Sequence, residues 1–433
     1  MRLFLGTALY FLVVVTSVLQ PAEAPTGFDN QTNGFVDQAT HASDQTAFEA
    51  VLQVPEGLGP LYNAQSCREC HQNPTSGGQS QISELRVGHL GPDGHFQNPE
   101  IPIADGTEII TGRSLVNDRA ICPNAAFPNI QIQERVPDSE NVRTLRIALN
   151  LLGDGFVEAI ADQTLLDLQR NQCKKSKGKI CGQVLYVPIL EAPGKTGLGK
   201  FGWKDQHASL LSFAGDAYLN EMGITNKLLP TEVTLLCNTV REPNDVPGAN
   251  GLEHIDEFAR FIRATEAPAP DAQAAGTPDA QIGQEFFNKI GCASCHVSTL
   301  TTAPEGTAID GGTLTIPAAL AAKTIHPYSD FLLHDVGTGD GIIMSVTEHY
   351  GRAFTPTRWR TFSPYDLDST QNKLRTPPLW GVRLRSRLMH DGMSLTFRDA
   401  ILRHQGEAAH VTQQFSKLKE KDQELLFDFL RSL

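Results

Sequence analysis

Apolar positions recur at helical spacing in several stretches of the chain. From Arg143 to Ile160, opening Arg-Thr-Leu-Arg-Ile-Ala-Leu-Asn-Leu-Leu-Gly, they predict a core helix. Asp256 to Thr265 predicts another. Thr277-Pro278-Asp279 has the form of a helix start, a capping residue followed by proline at the first helical position. Ile282, Phe286, Phe287 and Ile290 carry that helix forward. Leu418 to Leu433 predicts a closing helix with Leu425, Leu426, Phe429 and Leu430 on its apolar face. Thr396 to Gly406 predicts a short helix. Thr396 with Asp399 resembles a capping box, and Gly406 suits a helix end. Positions 397, 400, 401 and 404 share one face, which places His404 on an apolar stripe. Between these segments the pattern lapses. Residues 25 to about 55 are polar and predict a loose lead-in. Glu266-Ala267-Pro268-Ala269-Pro270-Asp271-Ala272 predicts a linker. Val297 to Arg387 predicts a long, largely irregular insert.

A pair of short runs gives these elements a purpose. Cys67-Arg68-Glu69-Cys70-His71 and Cys292-Ala293-Ser294-Cys295-His296 both have the Cys-x-x-Cys-His form of a c-type haem attachment site. The thiols form thioethers to the vinyl groups of one porphyrin, and the following histidine becomes the proximal iron ligand. A Cys-x-x-Cys pair is also half of a zinc ribbon, but neither run has a second cysteine pair close by. A helix leading into such a run, with a C-terminal helix to pack on it, is the cytochrome c plan. The predicted fold is therefore mainly α, with two cytochrome c-like haem domains, long irregular insertions and little β. The first domain takes residues 25–265, the linker 266–276 and the second domain 277–433.

The start of the chain bears on location. Met1-Arg2, an apolar run from Leu3 to Leu19 and then Ala22-Glu23-Ala24 form a signal-peptide layout over residues 1–24. Pro25 directly after that end is poorly suited to cleavage, so the segment is either a signal peptide or a retained N-terminal anchor. Contact with a membrane is expected only if it is uncleaved. Export to the periplasm fits covalent haem, which bacteria attach outside the cytoplasmic membrane. The remaining cysteines, Cys122, Cys173, Cys181 and Cys237, are even in number and suggest disulfides in such a compartment. Cys173–Cys181 with Cys122–Cys237 is the favoured pairing of those available, and a reactive thiol pair is the alternative. The net charge of −13 argues against a nucleic-acid partner. It suits a basic redox partner, such as a small soluble cytochrome, as electron donor or acceptor.

The ligand opposite each proximal histidine decides whether an iron only passes electrons or also meets a small oxidant. A histidine on an apolar helix face is commonly a satisfied core residue, but a haem that needs a sixth ligand favours ligation by His404. Its rivals are His334, Met344, Met389 and Met393. For the first haem the nearest downstream candidates are His89 and His95.

Further motifs carry a resemblance. They are Gly57-Leu58-Gly59-Pro60-Leu61-Tyr62-Asn63-Ala64, Gly199-Lys200-Phe201-Gly202-Trp203-Lys204 and Glu221-Met222-Gly223-Ile224-Thr225 in the first half. In the second half they are Ile325-His326-Pro327-Tyr328-Ser329-Asp330, Leu332-Leu333-His334-Asp335, Arg375-Thr376-Pro377-Pro378-Leu379-Trp380-Gly381 and Met389-His390-Asp391-Gly392. Over roughly residues 55 to 433 the chain resembles the di-haem oxidoreductases, a family also labelled thiol oxidoreductase. These are related to bacterial di-haem cytochrome c peroxidase and to the di-haem enzyme that matures methylamine dehydrogenase. The resemblance implies peroxide or another small molecule as substrate, and it admits a calcium ion between the domains. In the peroxidases the sixth ligand of the second haem follows the His-Asp-Gly histidine by the interval that here separates His390 from His404. It is a methionine there, and a histidine in its place should lower the potential. His89 lies near, though not at, the interval the peroxidases use for a distal histidine on the first haem. Val336 stands where the family has methionine after Leu-Leu-His-Asp, and Trp203 is a candidate for an electron path between the haems. Three functions follow: a di-haem peroxidase or oxidase, a closed bis-histidine electron carrier, and thiol oxidation by Cys173 and Cys181.

Overall fold

The computed structural model describes residues 21–122, 132–238, 243–344 and 367–433. The apolar run Leu3 to Leu19 lies outside them. No helix among the described residues is long and apolar enough to cross a membrane. Helix accounts for 33% and strand for 16%. Helices pack around both Cys-x-x-Cys-His runs, but the strands amount to more than the sequence pattern indicated.

In the first half, a helix over Gln38–Glu49 opens on Asp37, whose side chain accepts from the Thr40 N–H. Its buried Phe48 packs on Phe258 and Phe261 of the helix His254–Ala264, with ring centroids 6.2 and 4.8 Å apart. A third helix, Leu210–Met222, joins the same core. It ends at Gly223, where φ is 67° and a side chain would strike the Leu61 carbonyl. That close approach lets Asn63 and Ala64 donate to the Glu221 carbonyl at 2.7 and 3.1 Å, which ties the helix end to the segment entering the first Cys-x-x-Cys-His run.

The lead-in is thus more ordered than its polarity suggested. The buried face of Gln38–Glu49 includes His41 and Asp44, and Asp44 is held by Arg260 at 2.6 Å through both carboxylate oxygens. The linker is likewise held at its start. Ala267 is buried and exchanges backbone hydrogen bonds with Pro25 and Gly27.

The stretch Arg143 to Ile160 is not one helix. Val142–Ile147 is a strand, antiparallel to Ser83–Leu90 in a four-stranded sheet with Phe96–Gln97 and Leu115–Val116. Asp154–Glu158 is a short separate helix. The apolar spacing misled because Leu145 faces solvent, whereas Arg146 is buried against Asp340.

In the second half, Thr277 caps the helix Pro278–Ile290 and accepts from the Ala280 N–H. The helix packs across the C-terminal helix Glu420–Ser432 at Gly283, where a side chain would run into the Leu425 carbonyl. Phe287 and Phe429 meet there at 5.2 Å between centroids. Ile282, placed by its spacing on the inner face, is exposed. The helix ends at Gly291 and delivers Cys292, Cys295 and His296 in the following turn.

The fold brings Cys122 to Cys237 and Cys173 to Cys181, with Cα separations of 6.2 and 4.4 Å, within the span of a disulfide.

Candidate functional site

Both histidines of the Cys-x-x-Cys-His runs are oriented in the same way. His71 Nδ1 stands 3.2 Å from the Gly78 carbonyl, and His296 Nδ1 stands 2.9 Å from the Tyr328 carbonyl. A carbonyl only accepts, so each Nδ1 carries the proton and donates it. With Nδ1 protonated, Nε2 is the ring atom left to ligate a metal, and at His71 the Leu149 carbonyl also lies within reach of the ring. Burial draws both imidazoles down to about 4, which keeps them neutral as ligands must be.

The second run opens on a cavity of about 1290 Å³, part of it open to solvent. Cys292, Cys295 and His296 line it. Phe397, Ala400, Ile401 and His404 line it as well; the helix is Phe397–Leu402, shorter than the spacing predicted, and His404 lies just past its end at Arg403. His404 donates Nδ1–H to the Ala400 carbonyl at 2.8 Å, so its Nε2 is also free to ligate. Burial, followed by the charge repulsion of His404, is what lowers His296.

The other candidates are placed differently. His334 borders the cavity, but both ring nitrogens are engaged, Nε2 with Asp330 and Nδ1 with Glu407, each at 3.0 Å. Burial opposes its charge, but Asp330 and Cys295 together outweigh burial and raise its pKa well above the ordinary value. Met344 is buried in a separate apolar cluster, and Met393 is exposed. Met389 and Val336 line the cavity. His89 is not brought to His71. It lies on the strand Ser83–Leu90, five residues beyond Glu84 and on the opposite face, with Nδ1 at 2.7 Å from Glu140. His95 lies in the turn after that strand and is exposed.

Several groups escaped the sequence pattern. Glu84 and Glu221 come from distant segments and hydrogen-bond to each other close enough to Cys70 to act on its charge. Burial, then the Glu84 charge, push Glu221 well above the carboxylate range. Burial also works upward on Glu84, but Arg86, bonded to it at 2.7 Å, outweighs burial and holds it below. One carboxyl is therefore protonated and the other ionised, sharing a proton beside the first run. Glu221 stood within a quoted motif, but nothing in the sequence joined it to Glu84.

Trp203 lines the second cavity from the first half of the chain. Its indole N–H donates to the Ile147 carbonyl at 2.9 Å, and its ring meets His390 edge-on, 6.1 Å between centroids. His390 Nδ1 is buried without a hydrogen-bond partner. Arg375 and Arg385 also line the cavity, and burial followed by the Arg375 charge draws Arg385 down to about 10. Two adjoining guanidiniums in an apolar cavity are suited to an anion. An apolar cavity lined by two thiols, a neutral imidazole, a second imidazole with a free Nε2 and two guanidiniums fits a haem with its propionates. A zinc ribbon fits less well. The other four cysteines face one another, so neither run gains a second pair.

A family profile described as di-haem oxidoreductase, with peroxidase as its conjectured activity, matches residues 127–433. The second Cys-x-x-Cys-His run lies inside that span and the first precedes it. Among solved structures, the diheme peroxidase BthA of Burkholderia thailandensis is 15% identical, over 96% of this chain and 95% of that one, with a TM-score of 0.42. Hydrazine synthase of Kuenenia stuttgartiensis is 14% identical, over 99% of this chain and 100% of that one, with a TM-score of 0.37. A MauG-like protein associated with microbial copper homeostasis is 18% identical, over 42% of this chain and 52% of that one, with a TM-score of 0.24. No curated protein matches the chain.

Proposed function

The chain belongs to the di-haem oxidoreductase family, and on that premise we propose that it is an exported peroxidase with two covalently held c-type haems. The haems, attached at Cys67 and Cys70 and at Cys292 and Cys295, supply the iron redox chemistry and the electron path between the sites. His71 and His296 are the proximal ligands, each fixed in rotation by its Nδ1–H bond to a carbonyl. His404 would supply the second protein ligand to the second iron and so close that site to small oxidants.

The contrast between the two sites carries this assignment. An imidazole with a free Nε2 lines the second cavity together with His296, whereas a carboxyl pair sharing one proton stands beside the first run. His89, the histidine that would close the first site, is engaged by Glu140. The first site is thus the one open to peroxide. Glu221 holds a proton at a carboxyl oxygen for the departing peroxide oxygen, Glu84, kept ionised by Arg86, accepts the hydrogen bond that holds that proton in place, and solvent supplies the next proton to the pair. A closed bis-histidine carrier would leave that proton without a use.

Trp203, reaching from the first half to the second cavity, is the candidate bridge for electrons. The two cysteine pairs suit an oxidising compartment, which supports periplasmic export. The acidic chain suits a basic soluble cytochrome as electron donor. The test is Glu221→Gln, which keeps the shape and hydrogen bonds but cannot deliver the proton. Peroxide consumption should fall by about 10²–10⁴-fold with haem absorption unchanged. An unchanged rate would remove Glu221 from the reaction.

A further inference from the structure

Lys204 is among the most deeply buried side chains of the molecule, 2% exposed. A buried ammonium is costly unless oxygen atoms replace its water. Four do so here. Nζ lies 2.9 Å from the Thr370 carbonyl, 3.2 Å from that of Gln371, 2.7 Å from that of Lys373 and 2.8 Å from Asp340 Oδ1. An ammonium has three protons to donate, so the oxygens outnumber the hydrogen bonds it can make. Carbonyls gathered round a point together with one carboxylate make the environment of a spherical cation.

The cage also stands without the lysine. The Lys373 N–H closes the turn onto the Thr370 carbonyl at 2.9 Å. Thr370 Oγ1 accepts from the Met344 N–H at 2.9 Å. Asp340 Oδ1 accepts from the Ile342 N–H at 3.1 Å, and its Oδ2 from Arg146 Nε at 2.9 Å. Every oxygen-bearing segment therefore has anchors of its own. Distances of 2.7 to 3.2 Å are wide for calcium, which binds oxygen at about 2.3–2.6 Å. They suit a monovalent ion of ammonium or potassium size.

The cage oxygens all come from the second half of the chain, and Lys204 comes from the first. Its neighbour Trp203 reaches the second cavity, and the Trp203 carbonyl accepts from the Arg375 N–H at 2.9 Å. We propose that Lys204 is a tethered cation: its ammonium fills an oxygen cage built for a monovalent cation of its own size, and so joins the two halves of the chain at Trp203 without a metal ion. Burial lowers its pKa to about 8, with Asp340 opposing, so the group is charged at neutral pH.

The experiment is thermal unfolding of the full-length haem-loaded protein in matched concentrations of lithium, potassium or ammonium chloride, and in EDTA. The wild type should unfold at one temperature in all of them. Lys204→Ala removes the cation and keeps the cage. Its Tm should fall by about 5 °C or more in lithium chloride and recover in part in potassium or ammonium chloride. Lys204→Met fills the cage with a neutral chain, so its Tm should fall and should not respond to the choice of salt. The proposal is overturned if Lys204→Ala shows no loss, if its loss is the same in every salt, or if EDTA destabilises the wild type. If Lys204→Ala does not fold, Lys204→Met decides: a wild-type Tm overturns the proposal, and a lowered one supports it. No peroxide is involved, so this result and that of the peroxidase test are independent.

Discussion

At the scale of single residues, the function turns on which nitrogen of each imidazole is occupied. His71, His296 and His404 all give Nδ1–H to a backbone carbonyl, and so all present Nε2. His334 has neither nitrogen to spare. Replacing His404 should therefore act on the second haem alone. His404→Met should raise its potential by on the order of 100 mV, read by spectroelectrochemical titration, and His404→Ala should convert it to a high-spin form. A change confined to the first haem would reverse the assignment of the two sites. His404 was singled out by helical spacing, and it lines the cavity although the helix stops at Leu402, because its Nδ1–H and N–H bond back to the Ala400 and Ile401 carbonyls. Glu84 and Glu221 were not legible as a pair. Their meeting depends on a strand and a helix end far apart in the chain, and no local periodicity encodes it.

At the scale of elements, the helices with local signals formed where those signals lie. Thr277-Pro278 opens one, and Gly291 ends it at the second haem run. The helix Gln38–Glu49 was hidden because two of its three buried residues, His41 and Asp44, are polar, and the distant Arg260 makes Asp44 tolerable inside. The strand Val142–Ile147 was hidden for the same reason. Its inward residue is Arg146, neutralised by Asp340 far along the chain. Helix crossing has a sharper requirement. At Gly283 the backbones of the N- and C-terminal helices of the second unit approach too closely for a side chain. Gly283→Ala should cost about 1–3 kcal/mol by overpacking, in spite of alanine's better helix propensity, as measured by denaturant unfolding. A variant as stable as the wild type would mean that the crossing is looser than described.

At the scale of the whole molecule, the two halves differ in what surrounds their Cys-x-x-Cys-His runs. The second half builds a partly open apolar cavity lined by His296 and His404. The first half sets a proton-sharing carboxyl pair beside its attachment run and leaves its nearest downstream histidine bound to Glu140. Trp203 spans from one half to the other. The division of labour between a closed electron-accepting haem and an open peroxide-binding one is the central claim. Electron paramagnetic resonance of the oxidised and half-reduced protein, before and after addition of peroxide, tests it most directly. One low-spin signal that ignores peroxide and is lost in His404→Ala, together with a high-spin signal that peroxide consumes, is the predicted result. Two low-spin signals that persist through reduction of one haem and ignore peroxide would contradict it and leave a bis-histidine electron carrier.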